Sequence, residues 1–135
     1  ILHLGHVTYL AEARRRCDRL VVGLNSDSSV MQIKGTGRPI NPQESRLAVL
    51  SSLACVDEVV LFDESTPLQL IMRLSPDIIF KGGDYTPQKV VGASWVVSRG
   101  GAVEVIELVE GFSTTAIVEK IKKEIIHVVV IVKIK

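Results

Sequence analysis

The sequence predicts an α/β fold, with helices packed on a doubly wound parallel sheet. Three observations lead there. Short apolar runs of strand length alternate with segments of helical periodicity along the whole chain. The runs are apolar at consecutive positions, as in strands covered on both faces. The polar and glycine-rich loops mostly follow these runs, and parallel sheets collect their ligands at the carboxyl ends of strands.

Each element has its own signal. Gly5 to Cys17 reads as a first helix, because Val7, Leu10, Ala11 and Cys17 recur at near-helical spacing. Arg14, Arg15 and Arg16 load its last turns with positive charge, which suits the C-terminal end of the helix dipole and reads as a solvated helix end. Leu20–Leu24 is a first strand, closed by a polar loop from Asn25 to Ser29. Lys34 to Pro39 is a basic loop broken by Gly35 and Gly37. Asn41 and Pro42 read as N-cap and first residue of a second helix, with Glu44 completing a capping box and Leu47, Leu50 and Leu53 following. Val59–Phe62 is a strand, and Thr66-Pro67 opens a short helix that Ser75-Pro76 stops. Ile78–Phe80 is the next strand, and Lys81 to Tyr85 its loop. A helix around Val90 to Ser98 ends on Gly100-Gly101, a left-handed cap. Val103–Ile106 is the last core strand, and Ser113-Thr114-Thr115 starts a helix carrying Ile117, Val118 and Ile121. The β-prone run Ile125 to Val132 reads as a helix end followed by a sheet-edge or dimer-contact strand, or as a substitute for a strand missing before Ile1. The domain is therefore placed at residues 1–124 and a tail at 125–135.

Composition narrows the function. The 135 residues fit one domain, and a chain of this size buries roughly 68% of its unfolded surface. A net charge of +1 argues against a non-specific nucleic-acid binder. The longest apolar run, Val128 to Val132, is far short of the roughly 20 residues that span a bilayer, and no signal-peptide pattern is present. No nucleic-acid or membrane partner is expected. Cys17 and Cys55 lack metal-like spacing and read as buried free thiols, which fits a reducing cytoplasm.

The motif with the most chemistry is His3-Leu4-Gly5-His6, directly ahead of the first helix. Free N–H groups and the positive dipole end make a helix start a phosphate site, and Gly5 lets a phosphate approach the backbone. Metal ligation by the two imidazoles and a plain core or capping role are the alternatives; no Glu follows His3 as in zinc-protease helices. Gly111-Phe112-Ser113-Thr114-Thr115 is a second helix start with three hydroxyls, an ordinary N-cap on its own but a candidate phosphate cradle after a parallel strand. Lys34 and Arg38 occupy a mobile basic loop suited to closing over phosphates, or a simple solvated loop. Lys81-Gly82-Gly83-Asp84 offers close backbone approach and a carboxylate for ribose or Mg2+. His3, His6, Asp27, Lys34, Gly82, Gly83, Asp84, Ser113 and Thr114 are expected to converge on one cleft.

Six segments, HLGHVTYL, GLNSDSSV, KGTGRPINP, VDEVVLF, PDIIFKGGDY and EGFSTTAI in this order, resemble the cytidylyltransferase-like nucleotidyltransferases over Ile1 to about Ile121. Within them the chain is most similar to the adenylyltransferase domain that makes ADP-heptose from heptose 1-phosphate, found alone or fused to a sugar kinase. The resemblance implies a Rossmann-like sheet of the His-x-Gly-His type. It implies transfer of AMP from ATP to a sugar 1-phosphate for lipopolysaccharide core precursors, with loss of pyrophosphate. His3, His6 and Lys34 would be catalytic. Gly5, Asp27, Gly82, Gly83, Asp84, Ser113, Thr114 and Thr115 would hold the nucleotide. Lys34 and Arg38 would meet the substrate phosphate, and Mg2+ would bridge phosphate oxygens with few protein ligands. A homodimer is implied as well. Two departures stand out. The family pattern begins with a core strand and a Gly-x-Phe-Asp segment, so the first strand is expected to be missing here and to lie in residues ahead of Ile1. The glycerol-phosphate cytidylyltransferases carry an arginine shortly before the last Gly-x-Ser-Thr, where this chain has Leu108-Val109-Glu110. A CTP-dependent enzyme acting on glycerol 3-phosphate or ethanolamine phosphate, and a catalytically silent nucleotide-binding module, are the other readings.

Overall fold

The computed structural model describes residues 1–83 and 85–122. Asp84 and the predicted tail at 125–135, with its boundary, lie outside the described residues. The order is α1 (Leu4–Arg15), β1 (Val21–Asn25), α2 (Asp27–Lys34), α3 (Gln43–Ser51), β2 (Glu58–Phe62), α4 (Leu68–Leu74) and β3 (Ile78–Gly82). A 3-10 turn at Pro87–Lys89, α5 (Ala93–Ser98) and β4 (Ala102–Ile106) follow. Residues 114–122 are helical and are termed α6.

Strand pairing among the described residues is all parallel, as the unbroken apolar runs predict. β1 pairs with β2 from Val21↔Glu58 to Asn25↔Phe62, and β3 with β4 from Ile78↔Ala102 to Gly82↔Ile106. The two pairs are not hydrogen-bonded to each other. The predicted doubly wound sheet thus stands as two parallel halves, since no described strand continues the ladder from β1 to β3. One core nonetheless serves both halves. Leu10 and Ala13 of α1 pack with Leu20, Val56 and Ile106, and Tyr9, Val22, Val59 and Phe80 close around them. Each large side chain buried there contributes about 1.5–3 kcal/mol. The Tyr9 hydroxyl donates to the Phe80 carbonyl at 3.1 Å and so pins α1 to β3. α4 makes a second bridge: its Leu70 lies against Gly23 of β1, and its Ile71 against Gly92 beside α5.

Several local expectations change. The buried stripe of α1 is Gly5, Leu10 and Ala13, whereas Ala11 is exposed and Val7 is 37% exposed. Val7 shares the stripe but lies at its open end, away from the core. The polar run at 25–29 is not a loop. Ser26 caps α2 by accepting from the Ser29 N–H at 3.3 Å, and Asp27 fills the first turn. Short polar side chains favour loops and caps alike, and here the cap wins. Lys34 is consequently the last residue of α2, not a loop residue. The Asn41–Glu44 capping box does not form. Pro42 is the N-cap of α3 without a side-chain bond, and the Asn41 carbonyl accepts instead from Arg46 Nε at 3.0 Å. β3 runs on to Gly82, taking Lys81 and Gly82 out of the predicted loop, and α5 starts only at Ala93. Arg15 and Arg16 pair with Glu12, Arg16 also with Glu104, and Arg14 with Asp57, which makes the arginine run an ion-paired helix end. Cys17 and Cys55 are free but only half-buried, at the margin of the core.

Candidate active site

The start of α1 has an unusual cap. His3 is the N-cap residue, in extended conformation (φ −144°, ψ 177°). Its Nδ1 accepts the Gly5 N–H at 3.1 Å, while His6 Nδ1 accepts the His3 N–H at 3.4 Å. Two of the helix's unpaired N–H groups are thereby satisfied by imidazoles rather than by hydroxyls or carboxylates. The bond pattern assigns both rings the same tautomer, with Nδ1 bare and the proton on Nε2. Each ring therefore offers one Nε2–H donor. The ring centroids lie 4.1 Å apart, and Phe112 stacks near His3 at 6.4 Å. Gly5 is buried beneath this arrangement. A Cβ there would stand 3.0 Å from both Cε1 and Nδ1 of His3, so the missing side chain makes room for the His3 ring.

Both imidazoles are held neutral. Desolvation, then the nearby His3, the chain's amino group and Lys34, push the His6 pKa down from 6.5 to about 4. Desolvation and the chain's amino group lower His3 as well. A pair of uncharged N–H donors beside two cations is the result at neutral pH.

These groups face an open pocket of about 240 Å3 lined by His3, Gly5, His6, Lys34 and Arg38 on one side. Leu108, Phe112, Ser113, Thr114 and Thr115 complete its wall. Among the described residues that line it there is no carboxylate. Ser113 caps α6, its Oγ accepting the Ala116 N–H at 3.0 Å. Arg38 Nη2 approaches Thr115 Oγ1 at 3.4 Å. The volume lies below the ~300–1,000 Å3 typical of a whole small-molecule site and suits a chain of phosphates.

The structure brings eight predicted positions together: His3, Gly5, His6, Lys34, Arg38, Ser113, Thr114 and Thr115. Gly82 and Gly83 stand one layer back, and a Cβ on Gly82 would meet Leu108 at 2.8 Å. Asp27 is placed away from this wall, its Oδ1 bound by Arg46 Nη2 at 2.8 Å, which with the Gln43 contact holds its carboxyl below the usual range. Asp84 lies outside the described residues. Leu108 and Phe112 also line the pocket, though neither is expected as a site residue; their signal is their place beside the Ser-Thr-Thr helix start.

The family model for cytidylyltransferase-like proteins matches residues 1–125. The chain belongs to this cytidylyltransferase-like family. It is 56% identical over 121 residues to the bifunctional protein HldE of Syntrophotalea carbinolica, covering 90% of this chain and 25% of that protein. The bifunctional protein HldE of Pseudomonas aeruginosa (strain UCBPP-PA14) is 56% identical over 124 residues, 92% of this chain and 26% of the relative. The chain thus spans about a quarter of the length of these relatives. The crystal structure of the lipopolysaccharide core biosynthesis protein from Thermoplasma volcanium GSS1 superposes with a TM-score of 0.61 at 34% identity, covering 81% of this chain and 88% of that one. The α/β architecture is thereby that of the cytidylyltransferase-like family. Among the described residues no helix is long and apolar enough to cross a membrane.

Proposed function

We propose that this chain is an adenylyltransferase that moves AMP from ATP onto heptose 1-phosphate, giving ADP-heptose for lipopolysaccharide core synthesis and releasing pyrophosphate. The observation that carries this reading is the pocket wall: two neutral imidazole donors, Lys34, Arg38 and the start of α6. The imidazole, ammonium, guanidinium and hydroxyl groups there can all donate to phosphate oxygens. The 56% identity to HldE supports the choice of substrate within the family.

In the reaction an oxygen of the acceptor phosphate attacks the α-phosphorus of ATP in line. A new P–O bond forms, and the bond to the bridging α–β oxygen breaks. Nε2–H of His3 and of His6 donates to the phosphoryl oxygens, where negative charge accumulates in the transition state. Lys34 and Arg38 hold phosphates by charge. The α6 start, with Ser113, Thr114 and Thr115, receives the departing β- and γ-phosphates, so catalysis is positioning and electrostatics. Mg2+ would arrive with the nucleotide and neutralise phosphate charge, with few protein ligands of its own. A cytoplasmic homodimer, coupled to a sugar kinase in the manner of a bifunctional relative, completes the proposal.

The test is pyrophosphate release by the natural polypeptide carrying this sequence, with ATP or CTP and with heptose 1-phosphate, glycerol 3-phosphate or ethanolamine phosphate. Release from ATP with heptose 1-phosphate is expected. Release only from CTP would move the reading to a cytidylyltransferase, and no release from any pair would move it to a silent nucleotide-binding module. His6→Ala is expected to lower kcat by at least ~100-fold, as loss of one transition-state donor does. A His6→Ala variant with normal turnover would reject that role.

A further inference from the structure

Arg46 does not line the pocket, and the reaction as described gives it no part. Its side chain is only 15% exposed, and all three of its donor positions are used. Nη1 donates to the Asn25 carbonyl at 2.8 Å, Nη2 to Asp27 Oδ1 at 2.8 Å, and Nε to the Asn41 carbonyl at 3.0 Å. These acceptors are the last residue of β1, the first residue of α2 and the residue just before the cap of α3. Between the second and the third run α2, which ends in Lys34, and the loop that carries Arg38. Arg46 therefore clasps both ends of the segment that delivers two cations to the pocket. Gln43 reinforces the first end by accepting the Asp27 N–H at 3.0 Å.

Inside the clasp Ser29 also ties α2 down, its Oγ donating to the Glu64 carbonyl at 2.7 Å, and Arg38 reaches Thr115 Oγ1 at 3.4 Å, while the turn between Lys34 and Arg38 is open. Gly35 and Gly37 both adopt φ +84°, with nothing within 4 Å of where a Cβ would stand. A planar guanidinium can serve three acceptors that diverge in this way, whereas a lysine ammonium cannot hold the same fork. We infer that Arg46 is a positioning residue for polyphosphate binding: it fixes the α2–loop segment so that Lys34 and Arg38 face the pocket, and it acts on the ligand through them. The identity of the ligand rests on the nucleotidyltransferase reading.

Inorganic tripolyphosphate serves as the probe, titrated calorimetrically into the natural polypeptide, with thermal unfolding recorded in parallel. Arg46→Ala is expected to weaken binding by ~10-fold, and Arg46→Lys to recover part of that. In a Lys34→Ala/Arg38→Ala background the same Arg46→Ala change is expected to cost less than ~2-fold, while its loss of Tm stays equal in both backgrounds. An equal binding loss in both backgrounds, or none in either, overturns the inference. Should Arg46→Ala fail to fold, Arg46→Lys and Asp27→Asn carry the same comparison, because each loosens the clasp without emptying it. If the unmodified protein binds no tripolyphosphate, the phosphate-site reading falls and the inference with it. If it binds and the cycle is additive, only the inference falls.

Discussion

Gly5→Ala separates what the His3 cap does for stability from what it does for chemistry. The new Cβ would stand 3.0 Å from two atoms of the His3 ring and 3.6 Å from the Phe112 Cβ. The ring must move, and its bond to the Gly5 N–H, now 3.1 Å, is lost or lengthened. Losing an N-cap bond costs about 1 kcal/mol. Replacing a helical glycine by alanine returns about 1 kcal/mol. The two nearly cancel, so Tm should stay within ~3–5 °C of the parent, the shift that about 1 kcal/mol produces in a domain of this size. Activity has no such compensation. A donor displaced by a fraction of an ångström to 1 Å from a developing oxyanion costs up to ~100-fold, and kcat/KM for pyrophosphate release should fall by ~10–100-fold. Differential scanning calorimetry and a coupled pyrophosphate assay on the same preparation give both numbers. A variant with unchanged kcat/KM would refute the reasoning, because the His3 ring would then be free to move without consequence.

Gly101→Ala should be destabilising by at least about 1–3 kcal/mol, read from urea midpoints, since its Cβ would meet Val96 Cγ1 at 2.5 Å and the Asp77 carbonyl oxygen at 2.7 Å. A midpoint equal to the parent's would show that β4 and α5 are not packed so closely. Stability should also depend on pH through His6. Its folded pKa of about 4 lies below the ordinary imidazole value of 6.5, so between these values the unfolded chain binds more protons. The contribution is complete above 6.5 and is lost as pH falls through 4. His6→Ala should flatten that part of the profile, and an unaltered profile would locate the titration elsewhere. Polyphosphate acts in the opposite sense, since an anion beside the ring favours the imidazolium. Tripolyphosphate binding between pH 5 and 6 should take up protons, seen as a dependence of the calorimetric heat on buffer ionisation; zero uptake would place the anion away from His6.

The elements legible in the sequence are those whose signal is local. The apolar runs before Asn25, Phe62, Gly82 and Ile106 became strands within a residue or two of the expected limits. The His-x-Gly-His and Ser-Thr-Thr segments became helix starts, and the structure brings them to one wall together with Lys34 and Arg38. What escaped depends on partners distant in sequence. α2 carries exposed Met31 and Ile33, so it has no apolar stripe to announce a helix, and its cap looks like a loop. Asp27 resembles a ligand-binding carboxylate until Arg46, on another helix, is seen to occupy it. Gly5 reads as room for a phosphate, and the spacing gives no sign that the His3 ring also stands 3.0 Å from where its Cβ would be. The split between β1–β2 and β3–β4 is a property of edges, and no residue in those runs encodes it.

That split gives α1 a second task. The helix that presents His3 and His6 also contributes Leu10 and Ala13 to the one core shared by both strand pairs, and Tyr9 to the Phe80 carbonyl. Among the described residues the two strand pairs share no hydrogen bonds, and side chains of α1 and α4 touch both. The proposed site draws His3 and His6 from the start of α1, Lys34 from the end of α2 and Thr114 from the start of α6, so a polyphosphate bound there would tie these three helix ends together. Occupancy would then be expected to raise the protection of α1 amides against exchange and, through Tyr9 and Leu10, to steady the core that α1 shares with β3.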